Sequence, residues 1–405
     1  MTIRQDRLSP VDRWLGPRHG PVRTNARVDF LAGVLFGIFG GLTMPFIPVM
    51  ARRLGAAPLE VSLVVAAQAI VMLLSLLWVN LAQRAHPVRL VVWMTAVGRA
   101  LFLVMPLVRT PGAFVAVVFL HHAFTSVAAL GYGQVMRVVY PDDARGRIMG
   151  LVRVGMAASW IVASLVGGRV MQALPFQTVF AVAAVFGLAG SLLFLRMRVD
   201  GSQESGERMA LLGTWRTLKE DRQFRQFLGA IFVFGFGAWL MGPAIPIMLV
   251  DELHATNFQV GLLGAVTSAF WIVAYFQVGR LIDQRTAPGV LALTFLIGSL
   301  TPLIYLLAVN PWMVLLSGVT DGLTSAGVDL GWLAALLQYA PQGRVPHYVA
   351  IFNTLVGVRG TAAPLLSGVL ISSIGVRPIF GIAAVCILMG AWLMWRAAAR
   401  RPQPG

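Results

Sequence analysis

The stretch FGIFGGLTMPFIPVM at residues 36–50 returns, altered but recognisable, as FGFGAWLMGPAIPIM at 234–248. Each copy carries Pro-x-Ile-Pro-x-Met inside a long apolar run. One such match is within reach of chance, but the echo continues along the chain. The offset is 198 residues here and settles at 200 further on, where WVNLAQR (78–84) faces VGRLIDQ (278–284) and VYPDD (139–143) faces YAPQG (339–343). Several matches at a nearly constant offset indicate a duplication: the chain is two copies of one unit.

Each unit holds six apolar runs long enough to cross a bilayer, about 20 residues apiece. They fall near 29–50, 59–80, 89–108, 112–136, 148–171 and 175–195, then 226–250, 258–279, 288–308, 311–338, 347–372 and 375–396. The expected fold is therefore an all-α membrane protein, with twelve transmembrane helices in two six-helix bundles. Its parts are a tail at 1–28, a first bundle at 29–196, a linker at 197–224, a second bundle at 225–397 and a tail at 398–405. Within the linker, Leu211, Trp215 and Leu218 share one helical face, as in a short interfacial helix, although a solvated loop fits as well. Composition agrees. Of 405 residues 58% are hydrophobic and 12% charged, and the mean hydropathy is +0.77, which a water-facing surface would not tolerate. The net charge of +16 does not imply nucleic acid, because the basic residues lie in short loops between apolar runs and form no single patch. The tail at 1–28 has six arginines and no apolar core, so an uncleaved first helix is expected and not a leader. The single cysteine, Cys386, allows no intrachain disulfide. Lipid is the expected surroundings and a monomer the expected unit, with no cofactor and no metal site.

Lysine and arginine set the orientation. With the amino terminus inside, cytoplasmic segments hold 24 of the 32, the opposite side holds five (Arg52, Arg53, Arg109, Arg169, Arg377), and Arg99, Arg153 and Arg359 lie within spans. Both termini are expected in the cytoplasm, and the preference for arginine over lysine suggests a GC-rich bacterial genome and hence a bacterial inner membrane. Parallel repeats of this kind form two bundles around a path along the membrane normal. The matched prolines Pro45, Pro48, Pro243 and Pro246 either bend the first helix of each bundle and so shape a central cavity, or mark the ends of those helices.

Twelve spans in a 6+6 duplication, with GRLIDQR (279–285) after span eight, resemble the major facilitator superfamily of secondary transporters. The likeness covers about 29–396. The family's Gly-x-Leu-x-Asp-Arg turn is largely met by Gly279, Leu281, Asp283 and Arg285, with Gln284 inserted. In the first half it is eroded: Val79 replaces the glycine and Gln83 the aspartate, while Arg84 remains. PDDARGRIMG (141–150) is similar to the family's entry into span five. The resemblance implies a cytoplasmic latch made by Gly279, Asp283, Arg285 and Arg84. Plain loop charge accounts for the same arginines.

Five ionisable residues lie deep in spans, each costing about 2.5–3.5 kcal/mol at a helix centre. At 1.5 Å per residue, Asp329 lies roughly 14 Å, Arg359 about 18 Å and Asp321 roughly 26 Å from the cytoplasmic ends of their helices. Depth pairs Asp329 with Arg359 as a buried ion pair and leaves Asp321 as the candidate proton-coupling group. At the offset of 200, Asp321 corresponds to His121. The family resemblance implies that the first and fourth spans of each half line the cavity, so His121 and Asp321 would face each other as proton-coupling partners. Alternatively His121 bonds a backbone carbonyl between helices. Arg153 is shallow enough to reach the interface, and Arg99 is expected to meet carbonyls or Asp29.

Small residues every four positions on span five (Gly155, Ser159, Ala163, Gly167), and Gly360 and Gly368 around Pro364 on span eleven, allow close helix approach. In the family these helices form the seam between bundles. No Gly-x-x-x-x-Gly-Lys loop is present, so ATP is not the direct energy source. The function expected is a secondary active transporter moving a small solute by alternating access, proton-coupled and exporting. A facilitator of the same fold and a lipid-handling membrane protein remain alternatives. An enzyme is not expected: an intramembrane hydrolase needs a nucleophile and base, or metal ligands, at matched depth, and the only candidates are His121 and His122 with scattered serines.

Overall fold

The computed structural model describes residues 21–84, 86–198, 221–341 and 344–399, with the side chains of 75–84, 130, 134, 137, 142 and 143 left out. Twelve spans run through the described residues. The first half has α1 (Pro21–Arg53), α2 (Pro58–Arg84), α3 (Pro87–Leu107), α4 (Pro111–Val139), α5 (Asp142–Val170) and α6 (Phe176–Arg196). The second has α7 (Arg222–Glu252), α8 (Asn257–Gln284), α9 (Ala287–Leu307), α10 (Leu315–Tyr339), α11 (Val345–Ile374) and α12 (Arg377–Ala399). Ten of these are long and apolar enough to cross a membrane. The other two are α10, whose two aspartates and other polar residues lower its hydropathy, and α2, an apolar helix whose described side chains end at Leu74; at 25 and 27 residues both exceed the ~20 residues a bilayer requires. The helix α1 begins at Pro21, inside the expected tail, and the interfacial helix proposed around Trp215 lies outside the described residues.

Helix starts follow local chemistry. Proline opens α2, α3 and α4, where its missing N–H costs nothing. Thr110 and Asp221 cap α4 and α7 with side-chain oxygens, and Thr256 with Gln259 forms a capping box on α8. The two halves then pack alike. Helix α1 lies on α5 and α6 as α7 lies on α11 and α12; α4 contacts α2 and α3 as α10 contacts α8 and α9. Between halves, α5 meets α8 and α2 meets α11.

Both first helices break at the duplicated prolines. Helix α1 stops at Thr43 and resumes at Ile47; α7 stops at Leu240 and resumes at Ala244. Pro45 has no N–H for the Gly41 carbonyl four residues back, and the Ser164 hydroxyl on α5 donates to that carbonyl at 3.2 Å instead. In α7 the carbonyl released by Pro243, that of Trp239, takes the Gly242 N–H at 3.2 Å. The prolines thus sit at breaks inside the spans, with helix on both sides.

The halves pack most closely at one end. A Cβ on Gly261 would lie 2.3 Å from the Ser164 carbonyl oxygen, one on Gly168 2.6 Å from that of Asn257, and one on Gly368 2.5 Å from Ser62 Oγ. All three contacts cross between halves at the end opposite the termini, hereafter the far end. Towards the end that carries the termini, a Cβ on Gly133, Gly146, Gly150 or Gly279 would meet nothing within 4 Å. The bundles close at the far end and separate at the terminal end.

Candidate functional site

At the far side of this opening lies a cavity of about 390 Å³ between the bundles, within the ~300–1,000 Å³ range of small-molecule sites. The α1 break supplies Met44, Pro45 and Pro48, and the α7 break supplies Gly242 and Pro246; Pro243, one turn away, is not in the lining. Trp160 enters from α5, passing so close to Gly40 that a Cβ there would lie 2.2 Å from its ring. Helix α8 contributes Thr267 and Ser268, α9 Thr301 and Tyr305, and α10 Ser317 and Asp321. Tyr305 is held by stacking on Phe380, with centroids 5.0 Å apart and planes 8° apart. The hydroxyls of Thr301 and Thr320 bond at 2.7 Å, tying α9 to α10 beside the carboxylate. Asp321 is the one carboxyl in the lining, and among the described residues it makes no hydrogen bond or ion pair.

His121 does not join it. The ring is 2% exposed, its Nδ1 bonds the Gly98 carbonyl of α3 at 2.9 Å, and it packs against Phe39 and Phe102. The backbone-carbonyl alternative describes it, and the expected opposition to Asp321 across the pathway is corrected. Position 121 repeats position 321, but its side chain is taken up inside the first bundle by the α3 carbonyl and two phenyl rings.

The expected Asp329–Arg359 pair is also absent. Asp329 is exposed, and its Oδ2 accepts the Trp271 Nε1–H of α8 at 3.0 Å. Arg359 is 6% exposed and points into α7, where it donates to the Ile231 carbonyl over Gly235; its Nε is unpartnered. The two residues match in depth but face different helices. Arg99 likewise finds acceptors without a carboxylate: Nη1 donates to the Gly187 carbonyl and Ser191 Oγ, both at 2.8 Å, under the Phe36 ring. Asp29 instead accepts the hydroxyls of Tyr140 at 3.0 Å and Tyr132 at 3.4 Å. Arg153 crosses between halves, donating to the Tyr275 hydroxyl at 3.2 Å.

Of the expected latch, Gly279 faces open space, and Asp283 and Arg285 are exposed and without side-chain partners among the described residues. Arg84 ends α2, and its side chain lies outside the description. No group of three metal-ligating side chains occurs among the described residues. Sequence reasoning missed Trp160 and Tyr305 as lining residues, and also a charge pair at the far end. There Arg52 grips Asp251 through Nε to both carboxylate oxygens at 3.0 Å and through Nη2 at 2.5 Å. Its signal was two arginines on the side that should be poor in them, matched by Asp251 and Glu252 at the repeat distance.

The family model described as Major Facilitator Superfamily matches residues 30–234 and, a second time, 227–405. The chain is 24% identical over 417 residues to the Multidrug resistance protein MdtG of Citrobacter koseri, covering 96% of this chain and 98% of that one. It is 23% identical over 276 residues to MdtG of Serratia proteamaculans, 65% of each chain. With the Multidrug transporter MdfA of Yersinia pestis it shares 22% over 188 residues, 45% of each. The matched part thus spans less than two thirds of the Serratia and Yersinia proteins. Among solved structures, the nucleoside transporter NupG superposes with a TM-score of 0.72 at 12% identity, covering 93% of this chain and 99% of that one. A bacterial homolog of the human lysosomal transporter Spinster, inward-facing and occupied, gives 0.70 at 11% identity, covering 96% and 100%. These two likenesses concern the fold alone.

Proposed function

The chain belongs to the major facilitator superfamily, a transporter and not an enzyme, and from that premise we propose that it exports small amphipathic compounds in exchange for protons, with Asp321 as the coupling group. One observation carries the proposal: the single carboxyl of the cavity lining has no hydrogen-bond or ion-pair partner among the described residues. A bare carboxylate away from bulk water is costly, and a proton or a cationic group of the solute relieves that cost. If either can occupy Asp321 but not both, solute entering from one side displaces a proton to that side. That exchange is antiport.

The rest of the lining fits such a solute. Trp160 and Tyr305 offer aromatic faces, Met44, Leu249 and Leu263 apolar surface, and Thr267, Ser268 and Thr301 hydroxyls. The relatives that carry the names multidrug resistance protein and multidrug transporter support export and a broad solute range. With the arginine-rich terminal end taken as cytoplasmic, the bundles stand open to the cytoplasm and closed to the outside. That is the state from which an exporter loads.

The test is proton flux in everted membrane vesicles challenged with a panel of organic cations, anions and sugars, wild type beside Asp321→Asn. A compound that collapses the pH gradient only with wild type supports the reading. A compound that crosses equally in both without moving protons makes the protein a facilitator.

A further inference from the structure

We propose that Arg52 and Asp251 are gating residues of the transport cycle, a clasp that holds the far end shut and must open for the solute to leave. The inference depends on alternating access, not on the solute or on proton coupling.

The clasp is built by one extra residue in α7. In the first half, α1 resumes after its proline break and ends at Leu54–Gly55, with Gly55 at φ +90°. The second-half counterpart is His254, at φ +48°, the one non-glycine residue with positive φ among those described. Prolines match at an offset of 198, but Gly55 and His254 match at 199. Between them α7 makes a π turn over Met248–Glu252, whose wider loops accommodate one residue more than an α turn. The Leu253 N–H bonds the Met248 carbonyl at 2.9 Å and the Ala255 N–H the Leu249 carbonyl at 2.8 Å, closing the widened turn. The insertion brings Asp251 to its own repeat partner, Arg52, across the axis that relates the halves.

Each side of the clasp is anchored. Arg52 Nη1 donates to the Ala56 carbonyl at 2.7 Å, which holds the guanidinium in place before it reaches the carboxylate. Beside Asp251, Glu252 turns back into its own half, where Arg377 Nε meets it at 2.8 Å and Arg377 also holds the Leu306 and Ala308 carbonyls. One acid of the elbow is thus tied to the second half and the other to the first. Arg53 adds bonds to the Asn257 side chain and the Ala255 carbonyl, and Asn257 donates to the Met171 carbonyl at 2.8 Å. The forked geometry of Arg52 tolerates little separation. Opening this end parts α1 from α7 and breaks the pair. Its side chains are 25% and 36% exposed, so it is weak enough to release in each cycle.

The test is labelling of a cavity cysteine from outside intact cells. The lone Cys386 is first replaced by alanine, and Ser268→Cys, a near-isosteric change in the lining, becomes the target of a membrane-impermeant thiol reagent. Val309→Cys, in a far-end loop and 76% exposed, reports the amount of folded protein at the surface. Relative to this control, Arg52→Gln and Asp251→Asn each speed labelling of Ser268→Cys by about two- to fivefold, the range set by a partly exposed charge pair. The charge swap Arg52→Asp with Asp251→Arg returns it towards the parent rate. Unchanged labelling in both single variants overturns the proposal. So does faster labelling that the swap does not reverse, which would mean local damage and not lost pairing. No solute is needed, so the result stands apart from the transport assay above.

Discussion

Gly261→Ala should push the protein out of the conformation described here. The added Cβ would lie 2.3 Å from the Ser164 carbonyl oxygen and 3.1 Å from the Phe46 ring, where ordinary contact begins at 3.4 Å. The nearest atom is backbone and has no rotamer to give way. The α5–α8 seam must therefore part by about 1 Å, undoing the dispersion contacts along it. Overpacking of this kind costs roughly 1–3 kcal/mol. The cost applies only while the far end is closed, so the equilibrium shifts by about 5- to 150-fold towards states with that end apart. The assay is pulsed dipolar spectroscopy between spin labels at Arg109 and Val309, in far-end loops of opposite halves. Wild type should give the shorter distance and Gly261→Ala a new longer population. Gly229→Ala, whose Cβ meets nothing within 4 Å, should match wild type. A Gly261→Ala distribution superimposable on wild type would refute the reasoning.

Gly279→Ala should act in the opposite sense. Its Cβ is free here and would clash only if the latch packs when the terminal end closes, so the variant should lack the longer far-end distance even with solute present. His121→Leu should leave proton-coupled transport intact in everted vesicles while lowering stability by about 1–3 kcal/mol, because the Gly98 carbonyl loses a buried partner. Arg359→Met should be neutral or stabilising in thermal unfolding, since among the described residues the buried guanidinium has no carboxylate to offset its desolvation. Combined with Asp329→Asn, its effect should add within about 0.5 kcal/mol; a larger coupling would restore the ion pair.

The duplication and the twelve spans were legible because they are written in repeat and hydropathy, which a bilayer enforces along the whole chain; the matched prolines left bend and helix end as equal readings. The place of Asp321 in the cavity lining was legible for a related reason: a carboxyl deep in an apolar helix must face water, a partner or a cavity. What failed was azimuth. The depth argument placed Asp329 and Arg359 at one level, yet depth says nothing about which neighbour a helix face meets, and Trp271 and Gly235 receive them separately. His121 failed because repeats share backbone positions but not side-chain surroundings; Phe39 and Phe102 close over it. The Arg52–Asp251 clasp left two faint traces in the sequence, the arginines at 52 and 53 facing acids at the repeat distance and the drift of the repeat offset beyond 198; the π turn that joins them has no composition of its own.

Asp321 as coupling group is tested most directly in proteoliposomes, with a compound found by the vesicle panel. Counterflow, the exchange of labelled for unlabelled solute without a gradient, is compared with accumulation driven by an imposed pH gradient. For Asp321→Asn, counterflow should persist at a raised solute concentration, because the cavity and both conformations remain although the solute's cationic group has lost its counter-charge, while gradient-driven accumulation is lost. Accumulation by Asp321→Asn at the wild-type level would contradict the account and move the coupling to another group.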